Sequence, residues 1–172
     1  PYAAQGLHAG TAVGNPTRSS LAAELDRLGL APHDRIENPQ PQLGMFSSIR
    51  CAAQWPGWQP ALTHWLLTLG DQPQVQTATL RALLDFAAQH PDKVCQPARQ
   101  GRPRHPVLLP RIMFGEIASA PAENLKQFLL ARPCRRVCFE SEDAGLDFDL
   151  DEPADYERAL RACLRKWVRL PA

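Results

Sequence analysis

One run constrains this chain more than any other: Trp65-Leu66-Leu67-Thr68-Leu69, closed by Gly70-Asp71-Gln72-Pro73. An apolar run of that length, stopped by Gly and Pro, suits a strand buried on both faces. In open α/β sheets ligands bind in the crevice beyond the carboxyl ends of such strands. Asp71 falls at that end, where a carboxylate can hold a hard divalent cation. Gly70 lets the backbone approach a ligand, and Pro73 ends the strand. The same Asp also suits a second reading, as the cap of a helix that starts near Thr77.

Helical and extended patterns alternate along the rest of the chain. Leu21, Leu25 and Leu28 mark the apolar face of a helix that starts near Ser19 or Ser20 and ends at Gly29. Met45 to Ala53 reads as a helix opening just after Gly44. A helix from Thr77 or Thr79 to Ala88 carries Leu80, Leu83, Leu84 and Ala87 on one face. Ile112 to Ser119 and Asn124 to Leu130 read as further helical pieces. Pro153 stands at the first turn of a last helix striped by Tyr156, Leu160, Cys163, Leu164 and Trp167. Short extended pieces fall at Thr11 to Val13, Arg35 to Pro39, Lys93 to Pro97, His105 to Leu109, Arg136 to Glu140 and Leu146 to Leu150. The alternation predicts an α/β fold with a mostly parallel sheet. A chain of 172 residues is read as a single domain over 1–172.

Charge and composition remove several classes of function. The formal net charge of +1 supplies no global field for nucleic acid or a membrane surface. No apolar stretch is long enough to span a bilayer, and no signal-peptide pattern opens the chain. Five cysteines without a CxxC pair favour free thiols in a reducing cytoplasm over a disulfide framework. Cys134 and Cys138 lack the second pair or His partner that a zinc site needs.

Besides Asp71, three other places carry chemistry. In Asp149-Leu150-Asp151, alternation puts both carboxylates on one side of an extended segment, where they repel unless a cation lies between them. Asp151 can equally cap the last helix, and Asp155 complements that helix's dipole. The stretch from Asn38 to Ser48 enters a helix at Gly44, and such starts bind phosphate oxygens. In Arg102-Pro103-Arg104-His105-Pro106, two guanidiniums can meet an anion and His105 can hydrogen-bond one; a solvated turn is the plainer reading.

Taken together and in order, these places resemble the MobA-like nucleotidyltransferases, and within them the molybdenum cofactor cytidylyltransferase group. The residues that carry the resemblance are Asn38-Pro39, Gly44 with Ser48, Gly70-Asp71-Gln72-Pro73, His105-Pro106, and Asp149-Leu150-Asp151-Glu152-Pro153-Ala154-Asp155-Tyr156. The resemblance covers about Thr11 to the last helix. It implies a three-layer, Rossmann-like fold of the nucleotide-diphospho-sugar transferase type. It implies Mg²⁺ held by Asp71 and Asp151 with Asp149, and Asp71 and Asp151 as the catalytic pair. Asn38, Gly44, Ser48 and Gly70 would bind the nucleotide. Arg104, His105 and Pro106 would border the acceptor. The implied reaction transfers CMP or GMP from CTP or GTP to a phosphorylated acceptor of the molybdopterin type, with a molybdenum enzyme as a possible downstream partner.

The sequence departs from the family in places. The family's opening strand, Gly-rich phosphate loop and following Lys find no counterpart, so they are expected to be absent from this chain. Arg104 replaces a glycine before His-Pro, and Glu152 replaces a threonine before the last Pro. A chain without the triphosphate clamp also suits a non-catalytic pterin- or nucleotide-binding maturation partner of a molybdenum enzyme. A third reading is a sugar-phosphate nucleotidyltransferase, which shares the sheet and the Asp at a strand end.

Overall fold

The structure, a computed structural model, describes residues 12–14, 19–150 and 152–167, with side chains at 22–150 and 152–161. The chain divides into two compact units, Pro1–Thr63 with Arg111–Pro133, and His64–Pro110 with Cys134–Ala172.

In the first unit, β1 (Ala12–Gly14) pairs in parallel with β2 (Arg35–Glu37). Between them runs α1 (Ser19–Arg27), which ends where Gly29 and Leu30 turn back onto its last carbonyls, as the glycine predicts. Leu28, expected on its buried face, is 64% exposed. Helix α2 (Met45–Gln54) opens on Gly44 and packs against β1, β2 and α4 (Arg111–Ile117). Helix α5 (Leu125–Leu130) is capped by Asn124, whose side chain accepts from the Gln127 amide at 2.8 Å. Phe46, Ile49, Met113, Phe114, Ile117 and Phe128 are buried in this unit. Phe46 and Phe128 pack with ring centroids 6.3 Å apart. Arg50 ties the connection after α4, donating to the carbonyls of Ala120 and Ala122, each at 2.6 Å.

The second unit holds a five-stranded sheet of β3 (His64–Leu67), β4 (Val94–Arg99), β5 (Arg102–Pro103), β6 (Val107–Pro110) and β7 (Arg136–Glu140). Its order is β3-β6-β4-β5, and β7 pairs with the opposite edge of β4. The expected mostly parallel sheet is corrected here. The pairings β3–β6, β6–β4 and β4–β5 are antiparallel, and β4–β7 is the one parallel pairing of this sheet among the described residues. The reason lies at Gln100-Gly101, where both residues have positive φ, 52° and 70°. Two residues in that conformation close a hairpin, and a hairpin can only be antiparallel, whereas a parallel neighbour needs a crossover of a dozen residues or more. The chain therefore folds β5 and β6 back along β4.

Helix α3 (Thr77–Ala88) covers the sheet, burying Leu83 and Ala87 against Cys95 and Leu108, with Phe86, Val137 and Phe139 alongside. Leu84, expected on that face, is 48% exposed. The run around Leu66 is also corrected. β3 pairs only with β6 among the described strands, so it is an edge strand there, and Leu66 is 37% exposed while Trp65 is buried. Its strand ends at Leu67, and Thr68 to Gln76 is loop. Leu146 to Leu150 is not extended throughout. A 3₁₀ turn spans Ala144–Asp147, because the Asp143 side chain accepts from the Gly145 amide and bends the chain there. Helix α6 (Pro153–Trp167) starts with Pro153 in its first turn as expected. The Asp155 side chain reaches back to the Glu152 amide at 3.0 Å, the helix-start role assigned to it. The Cys163, Leu164 and Trp167 side chains of its stripe lie outside the described residues. Among the described residues no helix is long and apolar enough to cross a membrane.

Candidate active site

The site is built in the second unit from three pieces of chain: the loop after β3, the turn before β6, and the segment between β7 and α6. Asp71 sits in the first. Its Oδ1 is buried and has no hydrogen-bond partner among the described residues. An orphaned carboxylate oxygen is costly to bury, and it is a donor that a hard cation can use. The Leu150 amide donates to the Asp71 carbonyl at 3.1 Å, so the Asp149 segment lies directly against the Asp71 loop. Gln72 strengthens the junction by donating from Nε2 to Asp149 Oδ1, and Gln74 donates to the Phe148 carbonyl. The Oε1 atoms of both glutamines are buried without a partner among the described residues. A Cβ at Gly70 would meet nothing, so that side of the loop is open.

His105 lies in the field of both carboxylates. Burial pushes the His105 imidazole below its usual pKa. The Leu67 carbonyl, 3.5 Å from Nδ1, and the charges of Asp71 and Asp149 work in the opposite direction without overcoming it. The ring is therefore neutral at neutral pH, with two carboxylates in its field. The His105–Pro106 peptide is cis. Pro106 joins Thr68, Leu69, Gln72, Val75 and Leu80 around a cavity of about 240 Å³.

Arg104 is held rather than free-standing. Its Nε donates to Asp147 Oδ1 at 2.6 Å, and Arg99 binds the other oxygen of the same carboxylate. The Arg104 hydrogen bond, with Arg99, holds Asp147 below the usual carboxylate range against the opposing effect of burial. Asp147 thus offsets part of the positive charge expected to face an acceptor.

In the first unit, Asn38 is 1% exposed, and its polar atoms are satisfied internally. Its Nδ2 donates to Ser47 and Ser48 at 2.8 and 2.9 Å, and its Oδ1 accepts from the Gln40 amide at 2.9 Å. Asn38 therefore builds the first turn of α2, at whose N-cap Gly44 stands. The structure brings Asn38, Gly44 and Ser48 together in that unit, and Gly70, Asp71, Asp149, His105 and Pro106 together in the other. Asp151 lies outside the described residues.

As a metal centre, the donors are of the right kind for a hard divalent cation: two carboxylates and an amide oxygen, Gln72 Oε1. Among the described residues no three His, Cys, Asp or Glu side chains gather as a ligand set. Asp71 and Asp149 are the described pair. Burial, with the neighbouring Cys138, pushes Cys95 up to about 11.

Gln74 and Gln76 were not singled out in the sequence, and Gln72 stood there only as part of the Gly-Asp-Gln-Pro motif. Their signal was the alternation that sends Gln72, Gln74 and Gln76 toward the 143–149 segment.

Among curated proteins none matches the chain significantly. Several solved structures do. Rv0371c from Mycobacterium tuberculosis H37Rv, in complex with manganese, is 26% identical over 81% of this chain and 74% of its own, with a TM-score of 0.54. Another structure of Rv0371c from the same organism is 25% identical over 81% of this chain and 71% of its own, with a TM-score of 0.56. Molybdopterin-guanine dinucleotide biosynthesis protein A from Archaeoglobus fulgidus is 16% identical, covering 89% of this chain and 78% of that one at a TM-score of 0.60, and shares the fold. The family model of the MobA-like NTP transferase domain matches residues 3–137. With that match over most of its length, the chain belongs to the MobA-like NTP transferase family and is a nucleotidyltransferase by class.

Proposed function

We propose that the chain, as one nucleotidyltransferase-like domain over 1–172, transfers CMP or GMP from CTP or GTP to a phosphorylated acceptor of the molybdopterin type. The observation that carries this reading is the unpartnered, buried Asp71 Oδ1 next to the segment that bears Asp149. Asp71 and Asp149 would hold Mg²⁺ or a similar divalent cation, with Asp151 as a further ligand. The manganese bound to a 26%-identical structure is consistent with such a site. When bound, the cation neutralises charge on the triphosphate and on the departing pyrophosphate.

The chain's own residues position the reactants. Gln72 orients Asp149 through its Nε2 hydrogen bond. His105, whose partial burial lowers its pKa and favours the neutral ring, would hydrogen-bond the acceptor without adding charge. Pro106 and Leu80 shape the apolar wall of the adjoining cavity. Gly70 leaves room for close approach. Within the first unit, Asn38 holds Ser48 at the start of α2 beside Gly44, and helix starts of that kind receive phosphate oxygens. One oxygen of the acceptor phosphate bonds to the α-phosphorus, the bond from that phosphorus to the β-phosphate oxygen breaks, and pyrophosphate leaves. The attacking oxygen is already ionised, so no general base is needed, and positioning supplies most of the catalysis.

The test is pyrophosphate release from CTP and GTP in the presence of molybdopterin and Mg²⁺. Release that requires both acceptor and cation, and that disappears in Asp71→Ala, supports the reading. Pterin binding that persists in EDTA and in Asp71→Ala, without turnover, would mark a carrier instead.

A further inference from the structure

The Asp71 loop and the Asp149 segment are fastened together by one buried carboxylate to which the proposed chemistry assigns no part. Asp143 follows β7 and is 5% exposed. Its Oδ2 accepts from the Gln76 amide at 2.8 Å and from the Thr79 hydroxyl at 2.7 Å. Its Oδ1 accepts from the Gly145 amide at 2.9 Å and from Gln76 Nε2 at 3.0 Å.

Those four bonds reach both sides of the site. Gln76 is the N-cap of α3, and its own side chain makes no capping bond. Asp143 supplies the missing oxygen from another part of the chain, at the helix end where negative charge is favoured. The bond to Gly145 starts the 3₁₀ turn that leads into Phe148 and Asp149. The fit there is close: a Cβ on Gly145 would lie 2.5 Å from the Gln74 carbonyl oxygen. Beyond this anchor come the ties from Gln74 to Phe148, Gln72 to Asp149, and Leu150 to Asp71.

We propose that Asp143 is a positioning residue of the cation site, setting the separation of Asp71 and Asp149 by fixing the start of α3 to the turn before Asp149. The inference rests on the reading of those two carboxylates as a cation pair. An asparagine at 143 keeps one acceptor oxygen but turns an NH₂ group toward donors, so part of the clamp is lost. Support residues of this kind are worth about 10-fold or more in metal affinity.

The experiment uses Mn²⁺ alone as the probe, followed by the EPR signal of the free ion, together with amide hydrogen exchange at Leu150. In Asp143→Asn the Mn²⁺ dissociation constant should rise about 10-fold, and the Leu150 amide should exchange faster in metal-free protein. Thr79→Val, which removes one donor to the same carboxylate, should move both readouts the same way by less, and decides the matter if Asp143→Asn does not fold. Wild-type Mn²⁺ affinity in the folded variant, whatever its melting temperature, overturns the proposal. Asp71→Asn is the separate control: undiminished Mn²⁺ binding there ends the reading of the pair itself, whereas its loss there with wild-type affinity in Asp143→Asn ends only the role of Asp143.

Discussion

The Leu150 amide donates to the Asp71 carbonyl oxygen across 3.1 Å, and this one backbone bond draws together two acidic segments far apart in the sequence. Both carboxylates act on the half-buried His105 ring. The arrangement concentrates negative charge where few internal partners balance it, which is unfavourable for folding and useful for holding a cation.

Removing that charge should therefore separate stability from function. Asp71→Asn should melt at or above the wild-type temperature in EDTA, because a buried, unpartnered charged oxygen is replaced by a neutral amide. Saturating Mn²⁺ should stabilise the wild type, by about 2.7 kcal/mol at a hundredfold excess over the dissociation constant, and leave the variant's melting curve in place. Scanning calorimetry with and without the ion reads both effects.

Stability should also change with pH through His105. Burial depresses its folded pKa below the unfolded value of about 6.5. The unfolded chain therefore binds the proton more readily, so the contribution is complete above that value and is lost as pH falls through the folded pKa. Urea midpoints should decline on going from pH 7.5 to pH 5, and His105→Gln should flatten that part of the profile. A profile equally steep in the variant would assign the effect to other groups.

Asn38→Ala should destabilise the protein by about 1–3 kcal/mol. The variant strips the Gln40 amide of its acceptor and leaves two serine hydroxyls without their donor. Denaturant titration measures the loss. Asn38→Asp, which keeps the acceptor and loses both donors, should fall between the two.

The hairpin that turns the sheet antiparallel predicts opposite outcomes at adjacent residues. Gln100 holds a left-handed conformation that costs a non-glycine residue about 1–2 kcal/mol, at a φ of 52°. Gln100→Gly should raise the melting temperature, whereas Gly101→Val, at a φ of 70°, should lower it. A fall in both would mean that the Gln100 side chain contributes more than its backbone conformation costs.

Most elements were legible in the sequence because their signals are local. The apolar spacing of α3, the glycine after α1, the proline at the start of α6 and the motif residues Asp71, His105 and Asp149 can be read without knowing what packs on what. Sheet direction was legible in principle, since a two-residue link between 99 and 102 allows only a hairpin, but the alternation of strands and helices suggested the other answer. Burial was not legible. Leu66 and Trp65 are equally apolar in sequence, yet only Trp65 is buried, because exposure depends on which strands lie beside β3.

The order and chemical type of the site residues thus follow from the chain itself, since motif spacing and residue chemistry are properties of covalent sequence. The tertiary structure decided their state. Asn38 became a satisfied support, Arg104 became half of an ion-pair cluster on Asp147, and Asp143, inconspicuous in the sequence, became the clamp between two loops. The physical reason is that hydrogen-bond partners and desolvation are set by groups remote along the chain, and only folding brings those groups within reach.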